Sequence, residues 1–158
     1  GLRLPLGAWL GGAIVRCMAG TCATRGIWRA REEAGMHTRQ RNLTHDVSRY
    51  EDEAYWYAQQ PDLALGPPSW GWVAAALRSI RTLANDTRLD RMRVPTLMLL
   101  AEADRLVDPR ATAQIAARIG ARLVRFGPEA AHELLREVDP VRLRALSAID
   151  AFLDGVAR

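Results

Sequence analysis

Two short apolar segments in the second half of the chain constrain its fold most. Residues 94–101 form a continuous apolar run with Pro95 near its start, and residues 122–126 alternate polar and apolar side chains. The first pattern is typical of a strand buried on both faces of a parallel sheet, and the second of a strand with one wetter face. A helical pattern lies between them, so they predict parallel strands joined by a right-handed crossover helix.

Helix boundaries in this half are marked by paired residues. Asp108 precedes Pro109 and Asp139 precedes Pro140, the pattern of an N-cap followed by proline in the first turn. Gly120 suits the end of the first helix. The final helix is predicted to carry one apolar stripe, formed by Leu146, Ile149, Leu153 and Val156.

Strand, helix, strand, loop and helix in this order predict an α/β fold. Two parallel strands need neighbours and covering helices, so we expect further strands upstream of Gly1 and treat the chain as a section of a longer protein. Residues 1–92 differ, because their periodicity is helical. We therefore predict a helical insert over residues 1–92 and a section of an α/β core over residues 93–158.

The insert shows two capped helices. Asp46 or Ser48 can cap a helix that ends before Pro61, and Ser69 can cap a second one. The second helix carries an apolar stripe of Trp70, Val73, Leu77, Ile80 and Ala84. The apolar run from Leu4 to Val15 is too short to cross a bilayer and suits an amphipathic element near a membrane or an acyl pocket.

The charge pattern restricts the class of partner. All 22 basic residues are arginine. The net charge of +4 arises within residues 1–93, which contain 13 arginines and 9 acidic residues. This excess forms either a solvated face or a surface for anionic lipid headgroups or phosphate. Aromatic and basic residues do not interleave as on a nucleic-acid platform, so no nucleic-acid partner is predicted. Cys17 and Cys22 have the spacing of neither a zinc site nor a redox pair and suit small apolar fillers, so no metal is predicted.

An acid and a histidine follow the two predicted strands. Asp104 comes directly after the first strand, and His132 lies in the loop after the second. The carboxyl ends of parallel strands meet at one edge of a sheet, so these side chains can approach each other. A carboxylate on one imidazole nitrogen fixes the tautomer and leaves the other nitrogen free to take a proton from a nucleophile. Asp108 competes with Asp104 for the role of acid, although its place before Pro109 makes it the better helix cap.

The section from the first strand onward, with its Gly-x4-His-x-Leu loop at residues 127–134, resembles the closing part of α/β-hydrolases. Residues 43–50 and 61–72 are similar to the cap of bacterial lysophospholipases and monoacylglycerol lipases. The resemblance implies the C-terminal part of an α/β-hydrolase fold, with Asp104 as acid and His132 as base. It also implies a small lipid ester as substrate, Trp70 and Trp72 as candidates to line the acyl site, no cofactor, and a cytoplasmic or peripheral membrane location.

The nucleophile departs from the pattern of that family. Ser48, Ser69, Ser79 and Ser147 are the serines, and none lies in a G-x-S-x-G motif. The stretch around Cys22 is the nearest to a nucleophile elbow but lacks its second glycine. We therefore expect the chain to supply acid and histidine only and to be inactive alone.

A non-enzymatic module that binds lipid or anions through the arginine-rich first half remains the alternative, and the oligomeric state stays open. His37 and His45 follow no predicted strand and are interpreted as surface residues.

Overall fold

The computed structural model describes residues 8–26 and 36–157. Within these ranges the order of elements in the second half is the predicted one. The α-helices are α1 (Ala8–Cys22), α2 (Met36–Leu43), α3 (Val47–Gln59), α4 (Trp70–Asn85), α5 (Pro109–Ile119) and α6 (Asp139–Val156). The strands are β1 (Leu97–Ala101) and β2 (Arg122–Phe126), and three short 3-10 helices span Pro61–Leu63, Thr87–Arg91 and Leu134–Arg136.

The described residues contain one sheet, in which β1 and β2 pair in parallel. Leu97 lies opposite Arg122 and Ala101 opposite Phe126. The parallel pairing and the bounds of β2 are as predicted, but β1 begins later than Val94, because proline at position 95 lacks the amide hydrogen that a sheet ladder needs. The first three residues of β1 are only partly buried. The expectation of burial on both faces is therefore wrong for that half of the strand.

The helix-capping predictions hold for α5 but not for α6. The Asp108 carboxylate accepts a hydrogen bond from the Arg110 amide at 3.0 Å, and Gly120 ends α5 in the left-handed conformation at φ 68°. Helix α6 instead has Val138 at its N-cap, without a side-chain hydrogen bond. Asp139 lies one position further in, and its carboxylate pairs with Arg49. The prediction of Asp139 as N-cap is therefore wrong by one residue.

The core of the second half lies between the sheet and the start of α6. Its buried members are Ala101, Phe126, Ala130, Leu134, Val141 and Ala145. Phe126 is fully enclosed, and the Arg144 guanidinium lies 4.4 Å from the centre of its ring. Such a cation over an aromatic face is attracted by the ring and covers it from solvent.

The apolar stripe predicted for α6 is not its main buried face. Val141 and Ala145 are buried, whereas Leu153 and Val156 are exposed. The helix has 18 residues and is about 27 Å long, while the five-residue strands are only about 17 Å long. The last turns of α6 therefore extend past the sheet that the described residues form.

Helices α1 and α4 pack against each other in the first half. The Gly71 amide donates to the Ala23 carbonyl at 2.9 Å, and a Cβ atom at position 71 would lie 2.9 Å from that same oxygen. Only glycine allows the two backbones this close. Ser69 caps α4 by accepting from the Trp72 amide, as predicted, and of the two candidates for α3, Asp46 rather than Ser48 forms the cap.

The apolar stripe of α4 lies on a helix, as predicted, but its burial is graded. Val73 is buried, Trp70 and Leu77 are partly buried, and Ile80 and Ala84 are exposed. Among the described residues no helix combines the length and the apolar character needed to cross a membrane.

Arg118 joins the end of α4 to α5. Its guanidinium donates to the Ala84 carbonyl at 2.9 Å and to the Asp86 carbonyl at 2.7 Å. The last carbonyls of a helix lack partners within the helix, and an arginine side chain satisfies them here.

Candidate active site

Asp104 occupies the turn that follows β1, and two backbone amides of that turn donate hydrogen bonds to its carboxylate. The Oδ1 atom accepts from the Leu106 amide at 2.8 Å and from the Val107 amide at 3.0 Å. The residue is buried. Both bonds orient the carboxylate and leave its other oxygen free to point away from the turn.

His132 lies in the loop after β2, and its ring meets that free oxygen. The distance from His132 Nδ1 to Asp104 Oδ2 is 2.7 Å. The predicted approach of the two side chains is therefore present at the carboxyl edge of the parallel strands. The structure brings Asp104 to His132, while Asp108 caps α5.

The geometry has a direct electronic consequence. A neutral imidazole that donates from Nδ1 to a carboxylate carries no proton on Nε2, which is then free to accept one. The His132 side chain is 34% exposed, against 11% for Asp104. The acid is thus shielded, and the histidine is accessible to a reacting group.

The loop that carries His132 is bonded to the end of α2 through its backbone. The His132 amide donates to the Asn42 carbonyl at 3.3 Å, and the Glu133 amide donates to the Leu43 carbonyl at 2.8 Å. These partners are about 90 positions apart in the chain. The helical region therefore contacts the loop that carries the histidine, and the sequence analysis did not predict this backbone contact.

Glu137 is a further residue of this region that sequence reasoning missed. Its side chain is fully buried and lies against the Ala131 amide, where Oε1 accepts at 2.8 Å. Nothing in the local pattern separates this glutamate from a solvated acid, because two of its hydrogen bonds come from His45, 92 positions away.

His45 is the second partner of Glu137, a contact that the interpretation of His45 as a surface residue did not include. The ring is 45% exposed, as expected of a surface residue, but its Nδ1 atom lies 2.9 Å from Glu137 Oε1. The His45 amide also donates to both carboxylate oxygens at 3.2 Å. His45 thus has a structural partner.

Other polar contacts close the same junction. The Thr44 hydroxyl donates to the Arg136 carbonyl at 2.8 Å. Arg49 donates to the Glu137 carbonyl and pairs with Asp139. The Arg49 guanidinium lowers the pKa of the Asp139 carboxyl below its usual value.

The two tryptophans predicted to bind substrate lie in the first turn of α4. The Trp70 side chain is partly buried, and its amide donates to the Arg25 carbonyl at 3.1 Å. Trp72 is 59% exposed. Their position on the helical region agrees with the prediction, but their contact with substrate stays a prediction.

The remaining candidate residues form no site within the part of the chain that the structure describes. Cys22 is the last residue of α1, with no strand before it in the described residues, so it does not sit on a strand-to-helix elbow. Cys17 is exposed, which makes its reading as an apolar filler wrong. His37 lies in α2, and its side chain falls outside the described part. No group of three or more potential metal ligands occurs in the ranges that the structure describes.

A buried acid and an accessible histidine at the carboxyl edge of parallel strands, followed by a long helix, have the arrangement of the α/β-hydrolases. Residues 8–139 match the hydrolase family described as Serine aminopeptidase, S33. The chain belongs to that family.

Similar proteins agree with this assignment. Lysophospholipase L2 of Escherichia coli K12 is 33% identical over 121 residues, which cover 71% of this chain and 34% of the relative. The probable lysophospholipase L2 of Haemophilus influenzae is 29% identical over 96 residues, covering 61% of this chain and 30% of the relative.

A solved structure shows the same fold. A soluble variant of monoglyceride lipase from Saccharomyces cerevisiae, in complex with a substrate analog, superposes with a TM-score of 0.67 at 13% identity. The match covers 92% of this chain and 49% of that chain. The chain thus spans about a third of the length of the curated relatives and about half of the lipase.

Proposed function

We propose that this chain supplies the acid and the base of a serine-type hydrolase that cleaves the carboxylic ester of a lysophospholipid or monoacylglycerol. The observation that carries the proposal is the 2.7 Å contact between His132 Nδ1 and Asp104 Oδ2. The names of the similar lysophospholipases and lipase support the substrate class.

In this mechanism Asp104 orients His132 and stabilises the imidazolium that forms. His132 Nε2 takes the proton of a serine hydroxyl as its oxygen attacks the ester carbonyl, and then gives that proton to the leaving alcohol. Water repeats the sequence on the acyl-enzyme and releases the fatty acid. Oxyanion donors must stabilise both tetrahedral intermediates.

The nucleophile and oxyanion donors lie, in this proposal, outside the 158 residues. None of the serines occurs in a G-x-S-x-G motif. Without a nucleophile the pair has no oxygen to activate, so the chain alone should be inactive. Residues 1–92 would act as the cap and residues 93–158 as the closing section of the catalytic core.

Several exposed apolar side chains support contact with lipid. Between residues 55 and 72, the large side chains Tyr55, Trp56, Leu63, Leu65 and Trp72 are all exposed, Leu65 by 90%. Aromatic and aliphatic side chains of this kind insert into the boundary between lipid headgroups and acyl chains. We propose that these side chains make a peripheral membrane contact and that Trp70 and Trp72 line the path of the acyl chain.

Ester hydrolysis tests the proposal. The chain should cleave neither lysophospholipids nor p-nitrophenyl esters above background, whereas a chain extended at its amino terminus through an elbow serine should cleave them. His132→Ala in the extended chain should abolish turnover without unfolding. Robust activity of residues 1–158 alone, lost on Cys22→Ser, would show that the nucleophile had been misassigned.

One observation favours the alternative of a binding module. Arg16, Arg78 and Arg81 line a cavity of about 80 Å³ between α1 and α4, which suits a small anion. Sedimentation with anionic vesicles measures binding, and parallel assays of ester hydrolysis distinguish a binding module from a hydrolase. A chain whose extended form binds such vesicles but hydrolyses no ester would be a binding module.

A further inference from the structure

The buried Glu137 carboxylate has lost its hydration, and part of the compensation comes from the loop that carries His132. A fully buried carboxylate is unfavourable unless hydrogen bonds replace its lost hydration. The described residues provide these bonds from three backbone amides, those of Ala131, His45 and Val138, together with the His45 ring. Two of these four donors come from His45, about 90 positions away, and one comes from the residue before His132.

The contacts restrain the backbone on both sides of the Ala131 Cα. The Ala131 amide is bound by Glu137 Oε1, and the next amide, that of His132, is bound by the Asn42 carbonyl. With two consecutive amides tied, the direction in which the His132 side chain leaves the backbone is restricted. That direction decides whether its Nδ1 atom reaches Asp104.

We infer that Glu137 is a positioning residue for His132: its buried carboxylate holds the 131–132 backbone so that the imidazole stays in register with Asp104. The inference rests on the proposed function, because it assumes that His132 is the base. A displacement of about 1 Å at a reacting group is enough to lower a rate about a hundredfold, so a fixed loop has catalytic value.

A purely stabilising role would look different. The Thr44 hydroxyl makes two hydrogen bonds at the same junction, donating to the Arg136 carbonyl and accepting from the Asp46 amide, and neither touches the 131–132 backbone. Loss of these bonds should lower stability and leave the histidine in place. Thr44→Val is therefore a matched control, since Thr44 is also fully buried.

The test uses the full chain and reads the tautomer of His132 from the nitrogen shifts of its ring by NMR. The unsubstituted chain should show the proton on Nδ1. In Glu137→Gln, the amide NH2 group would face hydrogen-bond donors where a carboxylate oxygen now accepts, so part of the restraint on the 131–132 backbone is lost. The ratio of Nδ1–H to Nε2–H forms of His132 should therefore fall by about threefold or more. Thr44→Val should leave that ratio unchanged. The charge-assisted bond to Asp104 itself contributes about tenfold or more to the ratio.

The outcomes separate the two proposals. A folded Glu137→Gln chain with an unchanged ratio, or an equal change in Thr44→Val, overturns the positioning role. Asp104→Asn should reverse the tautomer; if it does not, the Asp104 and His132 pair itself is refuted, whatever Glu137 does. If Glu137→Gln fails to fold, Glu137→Asp takes its place, because it keeps the charge and shortens the side chain by one methylene. It should lower the ratio in the same direction, and an unchanged ratio overturns the inference.

Discussion

Replacing Asp104 by asparagine should impair both stability and chemistry, and the structure gives the size of each effect. The carboxylate accepts three hydrogen bonds, from the Leu106 and Val107 amides and from His132. A hydrogen bond to a charged group is worth about 1.5–3 kcal/mol, and a neutral one about 1 kcal/mol. The amide oxygen of asparagine can still accept from the two backbone amides, so most of that interaction survives in weaker form.

The third bond cannot survive unchanged. With its oxygen on the backbone amides, the asparagine turns its NH2 group toward His132 Nδ1, and two donors would then face each other. The ring must move its proton to Nε2, the wrong tautomer for a base. We expect Asp104→Asn to lower the free energy of unfolding by about 1–2 kcal/mol. In a chain extended through an elbow serine it should lower kcat by about four orders of magnitude, as the same change does in a serine protease.

Urea unfolding and ester hydrolysis measure the two effects, with Asp108→Asn as the matched control. Asp108 caps α5, and asparagine caps a helix as well as aspartate does. The free energy of unfolding of Asp108→Asn should therefore stay within about 0.5 kcal/mol of the parent value, and the extended chain with this change should keep full activity. If Asp108→Asn removed activity while Asp104→Asn left it intact, the assignment of the acid would be wrong.

Three further changes test the packing and electrostatics. Phe126→Ala should lower the free energy of unfolding in urea by about 3–5 kcal/mol, because the ring is fully enclosed and its removal leaves a cavity. Gly71→Ala should separate α1 from α4 and increase hydrogen exchange at their contact, because the new methyl group would meet the Ala23 carbonyl. The Arg39 guanidinium lowers the pKa of Glu53, so this carboxylate contributes stability above its unfolded pKa and loses it as pH falls through the lowered folded value. Glu53→Gln should therefore reduce the drop in the urea midpoint between about pH 5 and pH 3.

Two of these changes have a counterpart variant that should behave differently, and Glu53→Gln is compared with the parent chain. Val94 is 69% exposed, so Val94→Ala should change stability little. Gly20 lies in α1 with open space around its Cα, so Gly20→Ala should stabilise the helix by about 0.5–1 kcal/mol. A Gly71→Ala chain as stable as Gly20→Ala, a harmless Phe126→Ala, or a Glu53→Gln chain as acid-sensitive as the parent would contradict the respective argument.

The pair of Asp104 and His132 was predictable from the general geometry of parallel sheets. Parallel strands place their carboxyl ends on one edge; Asp104 follows one predicted strand, and His132 lies in the loop after the other. The local capping signals at Asp46, Ser69 and Asp108 were also reliable, since a cap depends on neighbours within three residues.

Features that depend on distant segments were not predictable in the same way. The role of Glu137 requires His45 and the 131–132 backbone to meet at its carboxylate, and no sequence periodicity predicts such a contact. The buried face of α6 was misplaced for a related reason. The predicted stripe consisted of the larger apolar side chains of α6. The buried face lies instead on the earlier turns of the helix, which carry Val141 and Ala145.

The bonds between residues 42–50 and 131–139 also bear on how the chain folds. Thr44 and Arg136 are 92 positions apart, so joining them before the intervening segments form costs about 4 kcal/mol of loop-closure entropy. Contacts between such distant residues form slowly compared with the turns of a helix. The strands and helices should therefore appear first, and amides such as that of Ala131 should gain protection from exchange among the last. During refolding, the histidine loop would then remain open to proteases longer than the sheet on which it sits.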